Sequence, residues 1–307
     1  MKRAVNCGLV KADNMRQAIL LLSFGTPRQP SDLLPYLTSI RRGKIPTERE
    51  LKVLTARYDA IGQWDNKLLQ TMGEDQKKTL KSLLAIDAMY LAYLHMPNSM
   101  EQAIESIATA GYTSILCIVT SPFYSMIGTG AYERKLHSIL RAYPDISCEI
   151  IKSWWNRPQF FEYWRSQLMA ANPLQADTAC IFSAHSVPIS TVGSYEDEVM
   201  SASNQIAKMV GLNHWYQAWQ SAAPYGEWLG PTIESVIEQA LIDGAKRIVC
   251  IPFGFVSDHV EILYDNDIIC RNIVENAGAT YERLPMPNGN TLFMEAMAKA
   301  IRERINK

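Results

Sequence analysis

Residues 247–267, RIVCIPFGFVSDHVEILYDND, change from an apolar to a polar character halfway along. The first half, residues 248–255, is an apolar run of strand length and predicts a buried strand. The second half begins with Asp258, which can cap a helix, and Glu261 follows three positions later, as in a capping box. A strand that leads into a helix with a histidine and several acids places ligand-type side chains where open α/β sheets bind their ligands.

The composition is that of an ordinary globular protein. The chain has 307 residues, of which 48% are hydrophobic, enough for two α/β domains or one large one. Thirty basic residues balance thirty-one acidic ones, so the net charge of -1 offers no field to attract nucleic acid. No apolar run reaches the roughly 20 residues that span a bilayer, which predicts that there is no transmembrane segment.

The cysteines and the amino terminus predict a cytoplasmic protein. The six cysteines are scattered and form no CxxC pair, a pattern more typical of reduced, buried thiols than of a zinc site, an iron-sulfur cluster or disulfides. Lys2 and Arg3 are not followed by an apolar core of signal-peptide length. Residues 1–14 are therefore interpreted as a possible N-terminal extension ahead of the first strand.

The chain alternates between strand-like and helix-like segments. Apolar runs of strand length lie at residues 18–23, 89–94, 114–120, 149–152, 178–184, 216–219, 248–255 and 280–284. Helix-spaced segments lie at residues 51–58, 76–84, 100–110, 131–142, 158–171, 197–210, 231–243 and 292–305. This alternation predicts an α/β fold with about four parallel strands in each half and helices on both faces, joined by right-handed crossovers.

The two halves of the predicted strand and helix pattern suggest that the chain forms two domains. The stretch at residues 152–158 is the expected boundary, which gives a first domain at residues 15–152 and a second at residues 153–290. We expect the final helix, within residues 291–307, to pack back on the first domain.

His185 and Glu261 each follow one of the predicted strands. If both strands belong to one parallel sheet, the two side chains leave the same edge and face one cleft. A neutral imidazole and a carboxylate suit two chemistries, the binding of a divalent transition metal and the acceptance of protons near neutral pH. Each residue alone also has a structural interpretation, since His185 can bond a backbone carbonyl and Glu261 can complete a capping box.

Several motifs carry a resemblance to a known family. Residues 183–188, SAHSVP, and residues 254–267, GFVSDHVEILYDND, are similar to the two signature regions of ferrochelatases, the enzymes that insert ferrous iron into a porphyrin. Further agreement is found in FGTP (24–27), IRRG (40–43), RY (57–58), IG (61–62), WQS (219–221) and WLGP (228–231). The resemblance extends from Met15 to the carboxyl terminus, and such a collinear set is far more specific than any one of its members.

The resemblance implies two Rossmann-like domains of the chelatase type with a porphyrin cleft between them. It implies that His185 and Glu261 are the catalytic residues, as metal ligands, as acceptors of the two pyrrole protons, or both. Asp265 is implied as a further metal ligand, but Ile269 replaces the acid expected one turn later. Any outer site for a divalent metal is therefore expected to be weakened.

Two other departures concern the cleft itself. Phe24 stands where many relatives have a tyrosine, so a hydroxyl near the metal path is missing. The segment Gln63-Trp64-Asp65-Asn66 replaces a familiar Gly-x-Ser-Pro run.

Aromatic and basic residues are the candidates for porphyrin binding. Phe24, Phe123, Tyr124 and Trp219 follow or end strands and can wall a flat apolar ligand, although such residues more often belong to a core. Arg41 and Arg42 can meet porphyrin carboxylates, and a solvated face is the other interpretation. Three tryptophans are instead predicted to be core residues: Trp154, Trp155 and Trp164.

The sequence thus predicts a ferrochelatase-like enzyme of haem biosynthesis, a lyase whose substrates are Fe(II) and a porphyrin. Because the chain resembles the compact, water-soluble branch, coproporphyrin III is favoured over protoporphyrin IX, and the product is coproheme. No cofactor is expected, and a transient partner that receives the product is considered. Two alternatives are a chelatase for another tetrapyrrole or metal, such as sirohydrochlorin with cobalt, and a non-catalytic haem-binding paralogue.

Overall fold

The computed structural model describes residues 16–65, 67–223 and 225–306. The possible extension at residues 1–14 and the departure at Asn66 lie outside the described residues. The first four strands in this part of the chain are β1 Gln17–Ser23, β2 Met89–Tyr93, β3 Ser114–Val119 and β4 Ser147–Ile151. The next four are β5 Thr178–His185, β6 Trp215–Gln220, β7 Arg247–Ile251 and β8 Thr280–Arg283.

The strands form two parallel sheets, one in each half of the chain. The first sheet has the order β2-β1-β3-β4 and the second has the order β6-β5-β7-β8. In each sheet the strand that comes first along the chain, β1 or β5, is a central one. It pairs in parallel with its neighbours, for example Leu20 with Cys117 and Phe182 with Ile251. The predicted α/β fold with two four-stranded parallel sheets is confirmed.

Helices cover the sheets. In the first half they are α1 Leu33–Ile40, α2 Glu48–Ala60, α3 Lys67–Leu84, α4 Ser99–Thr109 and α5 Thr129–Leu140. In the second half they are α6 Pro158–Ala170, α7 Tyr195–Val210, α8 Ile233–Ile242, a π-helix Glu261–Cys270, α9 Arg271–Asn276 and α10 Thr291–Ile305.

The helix α10 connects the two halves. It packs against α3 of the first half and, to a similar extent, against α6 of the second. Phe293 of α10 is fully buried beside Trp154 and Tyr163, with ring centroids 5.5 and 5.2 Å away. The predicted packing of the last helix on the first domain is therefore only part of its contacts, because α10 also closes the core of the second half.

The start of the helical segment after β7 differs from the prediction. Asp258 does not cap it, because its carboxylate lies 3.2 Å from the Arg283 guanidinium and accepts a hydrogen bond from Asn288. The backbone N–H of Glu261 instead donates to His259 Nδ1 at 3.2 Å. The segment continues as a π-helix, a rare conformation that is frequent at functional sites.

The cysteines of the second half lie in its core. Cys180, Cys250 and Cys270 are buried and free, and burial raises the pKa of Cys180 and of Cys250 to about 12. In the first half, Cys117 and Cys148 are also free, with their sulfur atoms 3.5 Å apart. Across the residues that the structure describes, no helix is both long and apolar enough to cross a membrane.

A candidate active site between the two sheets

A cleft of about 310 Å³ opens between the carboxyl ends of the two sheets. The first half contributes residues after β1 and from α3, among them Phe24, Thr26 and Met72. The second half contributes His185 at the end of β5 and the segment 254–261 that leads from β7 into the π-helix. Ligands of open α/β sheets bind at such strand ends, so this cleft is the candidate site.

His185 and Glu261 face each other in the cleft. The Nε2 atom of His185 lies 3.5 Å from Oε1 of Glu261, and about a third of each side chain is exposed (37% and 30%). The Nδ1–H of His185 donates to the backbone carbonyl of Ser186. This bond fixes the ring so that Nε2 is the nitrogen that points to Glu261 and to the cleft.

A close backbone approach holds the strand end that carries His185. Gly254 passes directly over Ala184, and a Cβ atom on Gly254 would lie 2.4 Å from the Cβ of Ala184. The N–H of Gly254 donates to the carbonyl of Ser183 at 3.1 Å. Glycine is required here because any side chain would push β5 away from the segment that leads to Glu261.

A buried amide network positions the backbone of Glu261. The Nε2 of Gln220 and the Nδ2 of Asn266 each donate to the Glu261 carbonyl, both at 3.4 Å. The Oε1 of Gln220 accepts from Ser183 at 2.9 Å and from Asn266 at 3.2 Å. This network links β5, β6 and the π-helix, so that His185 and Glu261 keep a fixed relative position.

The pair carries a charge separation in the ligand-free protein. Burial lowers the pKa of His185, but the Glu261 carboxylate and the Ser186 carbonyl outweigh it and raise the pKa to about 9. Burial raises the pKa of Glu261, but His185 and His259 outweigh it and lower the pKa to about 2. At neutral pH the two side chains therefore form an imidazolium–carboxylate pair.

His259 also lines the cleft, although it was not among the predicted site residues. Its Nδ1 accepts the N–H of Glu261, and its ring packs edge-on against Phe255 at 5.0 Å. Burial lowers its pKa, so the ring is neutral beside a protonated His185.

Asp265 does not reach the cleft. Its carboxylate accepts from Ser221 Oγ at 3.2 Å and lies 3.4 Å from the Arg57 guanidinium. Burial raises its pKa to about 6 despite Arg57. Within the described residues, no three histidine, cysteine or acidic side chains are grouped so that they could hold a metal ion. The predicted metal-ligand set of His185, Glu261 and Asp265 is therefore not brought together, because Asp265 turns to partners outside the cleft.

The predicted porphyrin-binding residues separate into two groups. Phe24 lines the cleft, is 47% exposed, and contacts the rings of His95 and Tyr36. The structure places Phe123 and Trp219 in the core instead, where Phe123 packs on Phe253 and Trp219 on Tyr195. They follow or end buried strands as predicted, but their rings point into the core.

Three further predicted residues lie outside the cleft. Tyr124 lies under Lys152, whose ammonium is 5.6 Å from its ring centroid. Arg41 pairs with Glu50 of α2, and Arg42 follows it in a turn with a positive φ of 56°. Because the Arg41 guanidinium is already paired with the Glu50 carboxylate, it is not free to bind a substrate carboxylate. The predicted core positions of Trp154 and Trp164 agree with the structure, where both are fully buried.

Gln63 begins the segment that replaces the Gly-x-Ser-Pro run of the family. It is fully buried, and its Nε2 donates to the carbonyl of Pro27 at 2.7 Å. The segment therefore supports the loop after β1 that carries Phe24.

The family comparison matches this architecture. A family model described as ferrochelatase matches residues 16–305 of the chain. This chain belongs to the ferrochelatase family. Its curated relatives in that family include the coproporphyrin III ferrochelatase of Geobacillus kaustophilus (strain HTA426), 33% identical over 302 residues that cover 93% of this chain and 95% of the relative. The coproporphyrin III ferrochelatase of Staphylococcus aureus (strain N315) is 31% identical over 304 residues, covering 94% and 98%.

Solved structures show the same fold at low sequence identity. This ferrochelatase-family chain superposes on SirB from Bacillus subtilis with Fe3+ with a TM-score of 0.61, 13% identity, and coverage of 94% and 95%. It superposes on CbiX, described as the terminal enzyme of siroheme biosynthesis in denitrifying bacteria, with a TM-score of 0.55, 13% identity, and coverage of 93% and 98%. At such identities the likeness concerns the fold alone, which is the two-domain chelatase architecture.

Proposed function

We propose that this ferrochelatase-family protein inserts Fe(II) into coproporphyrin III and releases coproheme, as a step in haem biosynthesis. The observation that carries the proposal is the facing pair His185–Glu261 in an interdomain cleft. The cleft belongs to a chain that aligns over nearly its whole length with coproporphyrin III ferrochelatases. The alignment supports the choice of substrate, and the pair supports the choice of reaction.

Metal insertion exchanges the two pyrrole protons of the free porphyrin for one Fe(II) ion, so both protons must leave. Glu261 is ionised at neutral pH and is available to accept a proton. His185 is protonated in the ligand-free protein, and arrival of Fe(II) promotes loss of that proton, since a metal ion and a proton compete for the same nitrogen lone pair. In this scheme Glu261 takes up one pyrrole proton, releases it to the water of the open cleft and then accepts the second. The proton of His185 also passes to water, which leaves Nε2 free to meet the iron.

The cleft walls supply the binding energy. Phe24, Ile127, Phe255 and Val260 line the cleft and keep aromatic or aliphatic surface exposed. Burying the faces of the macrocycle against these side chains provides energy that can be used to distort the ring and to expose its nitrogen lone pairs. The proposed substrate contact of Phe24 is of this kind.

The proposal includes no resident cofactor, because Fe(II) is a substrate. The cytoplasm is the proposed compartment, and the five free cysteines of the described residues support it. A transient protein partner is proposed to receive the product, because a flat apolar macrocycle is poorly hydrated once it leaves an apolar cleft.

An anaerobic insertion assay tests the proposal. The protein is incubated with Fe(II) and with coproporphyrin III, protoporphyrin IX or sirohydrochlorin in parallel, and the visible bands of each free tetrapyrrole are followed. We expect many turnovers with coproporphyrin III and slower loss of the protoporphyrin IX bands.

Two outcomes contradict the proposal. Turnover with sirohydrochlorin in place of coproporphyrin III indicates a different chelatase. A spectral change that stops at one tetrapyrrole per protein indicates a carrier.

A further inference from the structure

The cleft has little positive charge for a substrate that carries carboxylates. Coproporphyrin III is a tetracarboxylate, and its propionates require donors or cations when the macrocycle enters an apolar site. Among the described residues that line the cleft, Arg28 is the only lysine or arginine. The other arginines near the site are already paired, Arg41 with Glu50 and Arg57 with Asp265.

The loop after β1 fixes the backbone of Arg28. Gly25 has a positive φ of 96° and turns the chain out of the strand. Asp32 then accepts a hydrogen bond from the backbone N–H of Arg28 at 2.9 Å. Among the described residues, no carboxylate, Asp32 included, forms an ion pair with the Arg28 guanidinium.

Tyr93 stands beside Arg28 on the same wall of the cleft. Both residues line the cleft, and the Arg28 guanidinium lies close enough to the Tyr93 hydroxyl to oppose the rise of its pKa. Burial and the charge of Glu74 raise the pKa of Tyr93, so its hydroxyl keeps its proton and is a donor at neutral pH. The nearby Glu74 is itself paired with Lys77 at 2.5 Å.

The Tyr93 hydroxyl lies against Gly73 of α3, in space that a side chain at position 73 would fill. A Cβ atom on Gly73 would lie 2.4 Å from the Tyr93 hydroxyl oxygen. The tyrosine ring therefore extends across Gly73, and its hydroxyl is held at the rim of the cleft beside Arg28. A hydroxyl donor in a defined position and a neighbouring cation without a carboxylate partner are the groups that bind a carboxylate.

We propose that Arg28 and Tyr93 form a carboxylate-binding subsite that takes one propionate of the porphyrin and so orients the macrocycle over His185 and Glu261. The inference rests on the proposed function, since it names the group of the substrate that this wall of the cleft binds. It replaces the expectation that Arg41 and Arg42 meet the porphyrin carboxylates.

The test is a titration of metal-free protein with coproporphyrin III, followed by porphyrin fluorescence. Arg28→Gln is expected to raise Kd about tenfold, the lower range for loss of a hydrogen-bonded charge partner. The Kd of Arg28→Lys is expected to lie between that of Arg28→Gln and that of the wild type, because lysine keeps the charge but not the bidentate fork. Tyr93→Phe is expected to raise Kd about threefold.

A matched control and a kinetic readout separate the subsite from general charge effects. Arg141→Gln removes an exposed arginine at the end of α5, and its Kd is expected to equal that of the wild type. In steady-state insertion, Arg28→Gln is expected to raise KM for the porphyrin and to leave kcat within about twofold, because the proton-accepting pair is untouched.

An unchanged Kd in Arg28→Gln overturns the inference, as does an equal rise in Arg141→Gln. Circular dichroism and the midpoint of thermal unfolding show whether each variant is folded. Because Arg28 is exposed, the spectrum and the unfolding midpoint of Arg28→Gln are expected to match those of the wild type. The binding series needs no metal insertion. If the wild type binds coproporphyrin III but does not insert iron, the proposed function fails while the titration still decides the subsite.

Discussion

His185 and Glu261 differ in what holds each of them. The His185 ring is oriented by its own neighbour, the Ser186 carbonyl, and it is carried at the end of a buried strand. Glu261 is held through its backbone carbonyl, which accepts hydrogen bonds from the side chains of Gln220 and Asn266. A preorganised pair of this kind needs little rearrangement when the substrate enters.

Replacing His185 by alanine should remove the group proposed to meet the iron. We expect kcat for iron insertion to fall by at least about a hundredfold, the lower range for loss of a positioned acid–base group, while Kd for the porphyrin changes little. The measurement is the anaerobic insertion assay, combined with a fluorescence titration of the porphyrin. His137→Ala, on the exposed side of α5, should retain full activity. Insertion by the His185→Ala protein at the wild-type rate would contradict the assignment.

The titration of His185 should depend on Glu261. The pKa of His185 is raised to about 9 from an ordinary value of 6.5, so the pair stabilises the fold fully below pH 6.5 and this contribution is lost as the pH rises through 9. Glu261 behaves in the opposite way, since its pKa of about 2 places its loss of stabilisation in acid. In Glu261→Gln, burial is opposed only by the Ser186 carbonyl and the charge of Asp265, and we expect the pKa of His185 to fall well below that of the wild type.

Histidine NMR of the ligand-free protein measures this shift directly. The His185 resonance, assigned by its absence in His185→Ala, should titrate near pH 9 in the wild type and at a clearly lower pH in Glu261→Gln. Equal midpoints in the two proteins would show that the carboxylate does not hold the proton on the ring.

Sequence reasoning identified the residues with distinctive chemistry and missed those that act through position. His185 and Glu261 are ligand-type residues next to strand ends, so the alternation of strands was sufficient to bring them together. Gln220, Asn266 and Arg28 are ordinary polar residues whose partners are distant in the chain, and only the folded structure shows those partners. The same limit explains Phe123 and Trp219, because a strand end does not specify which way a ring points.

Among the elements, the π-helix is the one on which the site depends. Arg283 at the end of β8 bonds Asp267 in the middle of that helix at 2.7 and 2.8 Å, and it lies 3.2 Å from Asp258 ahead of it. All three side chains are largely buried. One guanidinium therefore connects the β8 edge of the sheet to Asp258 and Asp267, which lie on either side of Glu261 in the chain.

Replacing Arg283 by methionine should loosen this segment. Two largely buried carboxylates lose their partner, which costs on the order of 3 kcal/mol of unfolding free energy. We expect a lower denaturation midpoint in urea, together with a fall in kcat for insertion. Arg165→Gln breaks the exposed pair with Glu162 and should cost less than about 1 kcal/mol. Equal losses in the two variants would show that Arg283 has no special role.

The strands were easier to predict than the helices around them. Each predicted strand overlaps an observed one, and the central strands β1, β3, β5 and β7 are the clearest because they are buried, continuous apolar runs. The helix Leu33–Ile40 was not predicted, and Pro35 in its first turn interrupts the helical pattern there. A helical spacing of apolar residues also does not distinguish an α-helix from a π-helix, so the conformation of residues 261–270 was not foreseen.

At the scale of the whole molecule, the two halves share one interior. A single cluster of buried apolar residues includes Ile19 and Leu116 of the first sheet together with Phe182 and Ile251 of the second. The helix α10 packs on both halves. We therefore expect the protein to unfold as one cooperative unit in spite of its two sheets.

Phe293→Ala tests this expectation. Removing a fully buried phenylalanine from α10 should cost about 3–5 kcal/mol. Tryptophan fluorescence and far-UV circular dichroism in urea should shift together, with one midpoint in both the variant and the wild type. Leu292→Ala, at a partly exposed position on the same helix, should cost less. Two separate transitions in the wild type would indicate independent halves.

The sulfur chemistry of the second half bears on how iron is handled. Ferrous iron binds thiolates, and a thiol must lose its proton before it can act as a ligand. Cys180 and Cys250 are buried residues of strands β5 and β7, in the sheet that carries His185, and with pKa values of about 12 they stay protonated at neutral pH. These sulfurs therefore offer no competing trap, and an ion that enters the cleft meets nitrogen and oxygen donors in this half of the molecule.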